Sequence, residues 1–411
     1  DGSVLGETKG SFKGTLVHGK VQLYTIGMSG EKEIVEKGNY FAGLKDGRIE
    51  GYIFGNLEHV DVYAKGVLKE TEYYSPETKK IDHKTIYLSD AEANPRKVRL
   101  FFYYDDELKT KEGALKKLGA RVEVEAYQVP AGNNFSSFYD GAYKRYYLYD
   151  GKETLKEEGA YTKNRRNGEW KSYFENDVMA TRKYENDFMV SEQFSKDGKA
   201  FTGIAEEKSI TGGVVRTSIE VKNGLREGKT LDSYTRDANT KEWKSQRTIE
   251  YAAGKSKDIN YDYLAFLKTQ KVVKEVEYIQ ECDSKGSGLL YLDKIVYTDK
   301  GAFAYFHTVN TTFPSGSSIY TVPPGDKDAF SAYDLNTKKV YTVNKIFNMA
   351  LAPARQSAAY GEMNQFVLYF EGMTQTVKKI SFVEGDPENP FEIDNEGKTT
   401  YKWGCYEVSI K

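Results

Sequence analysis

Four histidines, His18, His59, His83 and His307, are the side chains best suited to move a proton or hold a metal near neutral pH. None has a second His or a Cys at the spacing that zinc sites use. His18 precedes Gly19 and reads as a solvated turn residue; His307 lies in an apolar stretch and reads as a packed or edge residue. The run Asp105-Asp106-Glu107 clusters carboxylates, as glycoside cleavage requires, but reads better as the N-terminal end of a short helix, where negative side chains meet the helix dipole. Asp386, Glu388 and Asp394 lack the alternating oxygen ligands and central Gly of an EF-hand calcium loop. There is no Gly-x-Ser-x-Gly elbow, and Lys285-Gly286-Ser287-Gly288 and Gly212-Gly213 lack the Lys-Ser/Thr ending of a phosphate-binding loop. The expectation is a protein without catalytic residues, metal or cofactor.

Aromatic residues are the remaining candidates. The chain has 33 Tyr, and 14% of its residues are aromatic. Tyr147, Tyr149, Tyr161, Trp170, Tyr173 and Tyr184 fall in segments that alternate with period two and so belong to strands with two faces. Two readings compete. The rings pack hairpin on hairpin, or some stay exposed as a flat platform for a protein, a glycan or a lipid head group. Lys163, Arg165, Arg166 and Lys171 lie beside them and form a small basic rim, most simply read as a solvated turn.

The elements that would position these rings repeat. Residues 159–174 run from Gly159-Ala160-Tyr161 through Asn167-Gly168 to Trp170 and Tyr173-Phe174, which reads as an aromatic strand, a polar turn ending in Gly and a second aromatic strand. Related segments are Gly38-Asn39-Tyr40-Phe41 with Asp46-Gly47 and Gly51-Tyr52, and Ile219 to Gly228 around Asn223-Gly224. Each unit is too short to bury its own face, so neighbours must stack.

This pattern resembles the MORN repeat, in the degenerate MORN-like form of bacterial envelope proteins. The family's elements match Gly159-Ala160-Tyr161, Asn167-Gly168 and Gly168-Glu169-Trp170, and the resemblance covers residues 10–74 and 141–255. It implies a ribbon of antiparallel hairpins used for binding, with no associated catalytic residues. Residues 97–128 interrupt the series as a strand-helix-strand insert: a strand around Val98–Tyr104, a helix from Asp105 to Leu118 stopped by Gly119, and a strand around Val122–Tyr127; residues 131–140 read as a loop.

A boundary is expected near 265, after the apolar connector Tyr261–Leu267. From Val272 the strands become more aliphatic and irregularly spaced, separated by turns such as Pro323-Pro324-Gly325, as in a β-sandwich. Residues Gln365–Met373, Ile380–Gly385 and the stretch from Trp403 to Ile410 resemble a C-terminal sandwich domain of Bacteroidetes envelope proteins. The expected fold is all-β: stacked hairpin repeats over 1–265, then a β-sandwich over 266–411. Cys282 and Cys405 are either a disulfide tying the ends of one domain or two buried thiols.

Composition bounds the partners. The 59 Lys and Arg against 61 Asp and Glu give no basic footprint for nucleic acid and weaken lipid binding, and no apolar run is long enough to span a bilayer. A chain beginning at Asp1 suggests a processed precursor or a trimmed chain. The expected function is non-enzymatic binding or scaffolding in the bacterial, extracytoplasmic envelope (periplasm, outer surface or secreted) through an envelope protein partner. Glycan capture is the alternative, and lipid binding ranks below both.

Overall fold

Antiparallel hairpins closed by two-residue turns account for much of the chain. The structure is a computed structural model that describes all residues except 1–5, 14–15, 27–29, 91, 110–114, 132–133, 150–151, 209–214, 237–242, 257, 283–289, 310–316, 359–362, 390, 394–398 and 411. Side chains are described for fewer, and that of Tyr149 falls outside them. The fold is all-β, with one short α-helix, Tyr263–Leu267, among the described residues. The helix falls where the sequence suggested an apolar connector, and no described helix is long and apolar enough to cross a membrane.

The turns explain the hairpin repeat. Ala42-Gly43, Phe54-Gly55, Lys65-Gly66, Lys163-Asn164, Asn186-Asp187, Asn223-Gly224 and Ala253-Gly254 each place two successive residues at positive φ. This is the geometry of a type I′ turn, whose twist matches that of the strands it joins. One expectation is corrected here. Asp46-Gly47 and Asn167-Gly168 are not turns but lie inside the strands Leu44–Ile53 and Arg165–Tyr173. Gly47 and Gly168 adopt φ of 73° and 72° where the ladder register shifts, so these glycines form bulges a few residues after the turn proper.

The first glycine of the repeat has a different role. Gly159 faces the gap left by the bulge, and a Cβ there would sit 2.2–2.6 Å from the Trp170 indole. Gly38 lies equally close to Ile49, and Gly51 to the His59 ring. In these three hairpins a side chain from the neighbouring strand lies flat over a strand glycine, which shields the backbone that glycine exposes.

The chain divides into two compact units. One comprises Asp1–Asp105 with Arg121–Tyr143, the other Asp106–Ala120 with Lys144–Lys411. In the first unit the strands Gly6–Lys13, Leu16–Ile26, Lys32–Phe41, Leu44–Ile53, Asn56–Ala64, Val67–Tyr74 and Ile81–Tyr87 pair in chain order. Their burial rarely alternates cleanly: Glu33, Ile34, Val35 and Glu36 are all half-buried. Cross-strand pairs fill these partly solvated faces, among them Lys45–Glu36 at 2.6 Å, Arg48–Glu72 at 2.9 Å and Lys84–Glu70 at 2.8 Å.

The helix expected from Asp105 to Leu118 is not formed. Asp105–Lys109 end the 14-residue strand Arg96–Lys109, and Leu115–Leu118 begin the 17-residue strand Leu115–Ala131. A helix this short repays little of its nucleation cost, and charges at its ends add only about 0.3–1 kcal/mol. Extending a paired strand adds ladder hydrogen bonds without a new nucleus. The loop expected over 131–140 is likewise replaced, by the strand Asn134–Tyr149, with Phe138 stacked on Tyr127 at 5.4 Å.

The second unit contains both hairpins and a β-sandwich. One sandwich sheet holds Val272–Glu281, Leu290–Thr298, Gly301–Val309, Met363–Glu371 and Lys345–Phe347; the other holds Val340–Thr342, Phe330–Asp334, Lys379–Glu384 and Gly404–Ser409. Ile295, Phe306, Phe366 and Phe370 of the first meet Phe330, Ile380 and Phe382 of the second in one core. A Cys282–Cys405 disulfide links the end of a strand in one sheet to a strand of the other, so the disulfide reading of the two cysteines holds. The strand Met363–Glu371 is buried on both faces, which is why it reads as an unbroken apolar run. Its outer face packs with Phe188, Tyr263, Phe303 and Phe347, and Phe188 stacks on Tyr263 at 3.8 Å. Residue 265, the expected boundary, therefore falls within this unit, where hairpin residues and sandwich residues share a core.

The glycine–ring contact generates a direct expectation. Gly159→Ala should destabilise the protein by about 1–3 kcal/mol through overpacking against Trp170. Gly325→Ala serves as the control, because a Cβ there meets nothing within 4 Å, although its φ of 90° brings backbone strain. Urea unfolding with intrinsic fluorescence reads both. A Gly159→Ala loss no larger than that of Gly325→Ala would contradict the close-approach role.

Candidate functional site

The hairpin strands of the second unit turn an unusual set of side chains inward. Across Val178 and the strand Met179–Glu185, Val178, Ala180 and Tyr184 are buried and Arg182 shares their inward register, so an arginine points toward the core. The Arg182 side chain is 12% exposed and donates from Nε to Glu192 at 2.7 Å and from Nη1 to Ser172 at 2.6 Å. Arg226, from the strand Leu225–Arg236 of a separate sheet, grips the same carboxylate with two bonds of 2.7 and 3.0 Å. Burial pushes the Glu192 carboxyl up, yet the charges of Arg226 and Arg182 outweigh it and hold it at about 2.

Arg182, Ser172 and Arg226 border a cavity of about 210 Å³. Its basic lining is Arg145, Lys156, Arg166, Arg182, Arg226 and Arg355, and its acidic lining is Glu157, Asp187 and Glu207. Arg145 meets Glu207 at 3.4 Å, Glu157 at 3.5 Å and the Tyr147 hydroxyl at 2.5 Å, and Tyr147 itself donates to Glu207 at 3.0 Å. Lys156 pairs with Glu175 at 2.8 Å. Residues Asn348, Gln356, Asn364 and Gln365 complete a polar wall.

The sequence-predicted aromatics do not form an exposed platform here. Trp170, Tyr161, Tyr147 and Tyr184 retain 1%, 2%, 7% and 7% exposure. Trp170 packs edge-on to Tyr161 at 5.0 Å and to Tyr184 at 6.2 Å, and its Nε1 donates to the Ala160 carbonyl. Tyr173 is half-buried and donates to Glu158 at 2.7 Å; Tyr149 lies outside the described side chains. The physical reason is joint burial: a hairpin cannot bury its own face, so the largest rings take the shared interior. Tyr173 and Tyr184 do reach the cavity wall.

The basic rim is corrected as well. Arg165 and Arg166 are buried at 8% and 9% exposure rather than solvated. The Arg166 guanidinium lies over Trp170 and Tyr184 at 5.1 and 5.4 Å and donates to the Met363 carbonyl at 2.8 Å. Lys163 and Lys171 stay at the surface, paired with Glu277 and Glu169. Sequence reasoning missed Arg145, Arg182, Glu192 and Arg226. The available signal was phase, since Arg182 shares the inward register of Ala180 and Tyr184.

The histidines take separate positions. His59 covers Gly51, and His83 stacks on Tyr73 at 4.3 Å. His307 is buried, stacked on Tyr291 at 4.6 Å and bonded through Nδ1 to Asp293 at 2.7 Å; Gln365 donates to the other Asp293 oxygen at 2.8 Å. His18 accepts from the Ala42 amide at 3.4 Å and packs on Phe41, so it supports a turn rather than standing free in solvent.

That contact belongs to a second feature, in the first unit. The turns stack along the sheet: Gly43 N–H donates to Val17 O at 2.8 Å, and Gly66 N–H to Lys45 O at 2.9 Å. Beside these turns Leu16, Phe41, Leu44 and Val67 are 49%, 61%, 52% and 45% exposed. Leu16 lies against Gly43, and Leu44 against Gly66, which makes the row continuous. No protein-family model matches the chain, and no curated protein matches it.

Asp187 gives a pH expectation. Burial raises its carboxyl to about 7 against the opposing charge of Arg166, with Asp293 adding to the rise and His307 opposing it. Between its ordinary value of 3.8 and about 7, the folded state holds a proton that the unfolded state has lost. This group's contribution to stability therefore falls as pH climbs through that window, by a few kcal/mol in order of magnitude. Asp187→Asn removes the effect and keeps an oxygen for the Arg166 amide. Its melting temperature relative to wild type should rise between about pH 5 and about pH 8. A difference that stays flat would show that Asp187 is charged throughout.

Proposed function

We propose that the protein is a non-enzymatic binding or scaffolding protein of the bacterial cell envelope that acts through protein contacts. The observation that carries this reading is the exposed apolar row Leu16, Phe41, Leu44 and Val67 along the stacked turns of the first unit. Contiguous exposed apolar residues on an otherwise polar surface are characteristic of protein interaction sites. The contact surface assigned is thus this turn edge, not the ring ladder around Trp170.

The turns suit that role because their backbone is fixed. His18 and Asp46 accept from the Ala42 and Lys65 amides that open two of the turns, and each turn glycine donates to the preceding hairpin. A surface held in one conformation loses little entropy on association. The extracytoplasmic assignment draws support from the Cys282–Cys405 disulfide, since such bonds persist in oxidising compartments.

The test is a crosslinking capture from a native envelope extract, comparing wild type with Phe41→Ser/Leu44→Ser after both are shown to melt alike. The proposal expects a protein enriched by wild type and depleted at least tenfold by the variant. Equal capture by both proteins, or none by wild type, would remove the turn edge as a contact surface.

A further inference from the structure

The turn edge of the first unit restricts the kind of partner it can take, an inference that rests on the protein-contact reading above. In the turns Ala42-Gly43 and Lys65-Gly66 both amides are already used. Ala42 N–H donates to His18 and Gly43 N–H to Val17 O, while Lys65 N–H donates to Asp46 and Gly66 N–H to Lys45 O. An extended segment laid across the edge finds no free donor in these turns, and its own buried peptide groups stay unsatisfied. A helix bonds its own backbone and brings side chains alone.

Spacing agrees. Leu16, Phe41, Leu44 and Val67 stand at the ends of the strands Leu16–Ile26, Lys32–Phe41, Leu44–Ile53 and Val67–Tyr74, and exposed Ala64 ends the intervening strand Asn56–Ala64. Neighbouring strands lie about 4.8 Å apart, close to the helical pitch of about 5.4 Å. The same-face repeat of an extended segment, ~6.8 Å, fits neither one strand step nor two. The four steps from Leu16 to Val67 cover roughly 19 Å, the length of ~13 helical residues.

Charge narrows the partner further. Over residues 16–20, 41–47 and 64–69 the charged side chains are Lys20, Lys45, Lys65 and Lys69 against Asp46. Lys45 is neutralised by Glu36 at 2.6 Å. Lys20, Lys65 and Lys69 are exposed, and no carboxylate among the described residues pairs with them. The edge is thus basic although the whole chain carries a net charge of −2. Three lysines fall short of the roughly 4–8 basic residues that mark binding to anionic lipid, so a protein segment bearing carboxylates is the better match.

We infer that this edge docks an amphipathic, acidic α-helix of a partner protein. The helix sets its apolar stripe against Leu16, Phe41, Leu44 and Val67, and carboxylates beside the stripe meet Lys20, Lys65 and Lys69.

Peptide display tests this, with a random library of ~16 residues, long enough for that span. The library is selected on the full chain and counter-selected on Phe41→Ser/Leu44→Ser. Selected sequences should carry apolar residues at i, i+3, i+4 and i+7, with Asp and Glu outnumbering Lys and Arg, and should become helical on binding by circular dichroism. Lys65→Glu/Lys69→Glu should weaken them about fivefold or more, and exchanging the peptide carboxylates for lysines should restore binding to that variant. Peptides of alternating pattern, or no peptide that depends on Phe41 and Leu44, overturn the helix. Basic peptides, or equal binding by the charge variant, overturn the acidic assignment. Sedimentation with vesicles of about 30% phosphatidylserine that Phe41→Ser/Leu44→Ser abolishes replaces the helix with a lipid surface. The pattern selected by wild type decides the helix even where the charge variant fails to fold. Envelope capture that still depends on Phe41 and Leu44, beside peptides of alternating pattern, sinks the helix and leaves the protein-contact reading standing; loss of both removes that reading itself.

Discussion

One buried carboxylate, Glu192, holds two sheets of the second unit in register. It lies on Phe188–Lys196 and is gripped by Arg182 from the neighbouring strand and by Arg226 from the sheet that begins at Gly203–Lys208. The backbone follows the same joint: Phe194 N–H donates to Gly224 O, and Gly224 N–H to Phe201 O. Taking three charges out of water is costly, and the bonds of both arginines to Glu192, with that of Arg182 to Ser172, offset that cost. Arg226 also lies over Tyr251 at 5.0 Å and Phe194 at 5.8 Å, so aromatic faces share its charge. Without this joint the arginine-lined wall of the cavity would have no fixed shape.

The rest of the unit closes around it. Trp170, Tyr161 and Tyr184 fill the hairpin interior and support Arg166, which reaches across to the Met363 carbonyl at the start of a sandwich strand. Asn348 donates to both Asp187 O and Gln365 O, which fixes the Asn186-Asp187 turn beside the same strand. The polar cavity and the apolar cluster around Phe188 and Tyr263 are thus neighbours along one sheet face. One part is sealed by rings, and the other is left lined with charge.

Much of this architecture was legible in the chain. Period-two alternation with aromatics gave the hairpins, and the apolar run through Phe366–Phe370 gave a strand, whose burial on both sides only the structure shows. Chemistry at short range misled in three places. Asp105-Asp106-Glu107 mimicked a helix start although the strand before it simply continued. Asn167-Gly168 looked like a turn because Gly accepts positive φ equally in a bulge. The rings around Trp170 could not be assigned a face, since alternation tells that two faces exist but not which one is covered. The buried charges were harder still. Arg226 and Glu192 become partners only when two separate sheets meet, and no local pattern encodes that pairing.

A double-mutant cycle on Glu192→Gln and Arg226→Met, read by urea unfolding, tests the joint most directly. Each single change should destabilise by leaving charge buried without its partner. The pair together should cost less than the sum, with a coupling of about 2 kcal/mol or more. Additivity within about 0.5 kcal/mol would mean that the two residues do not depend on each other, and the account of how these sheets are held would be wrong.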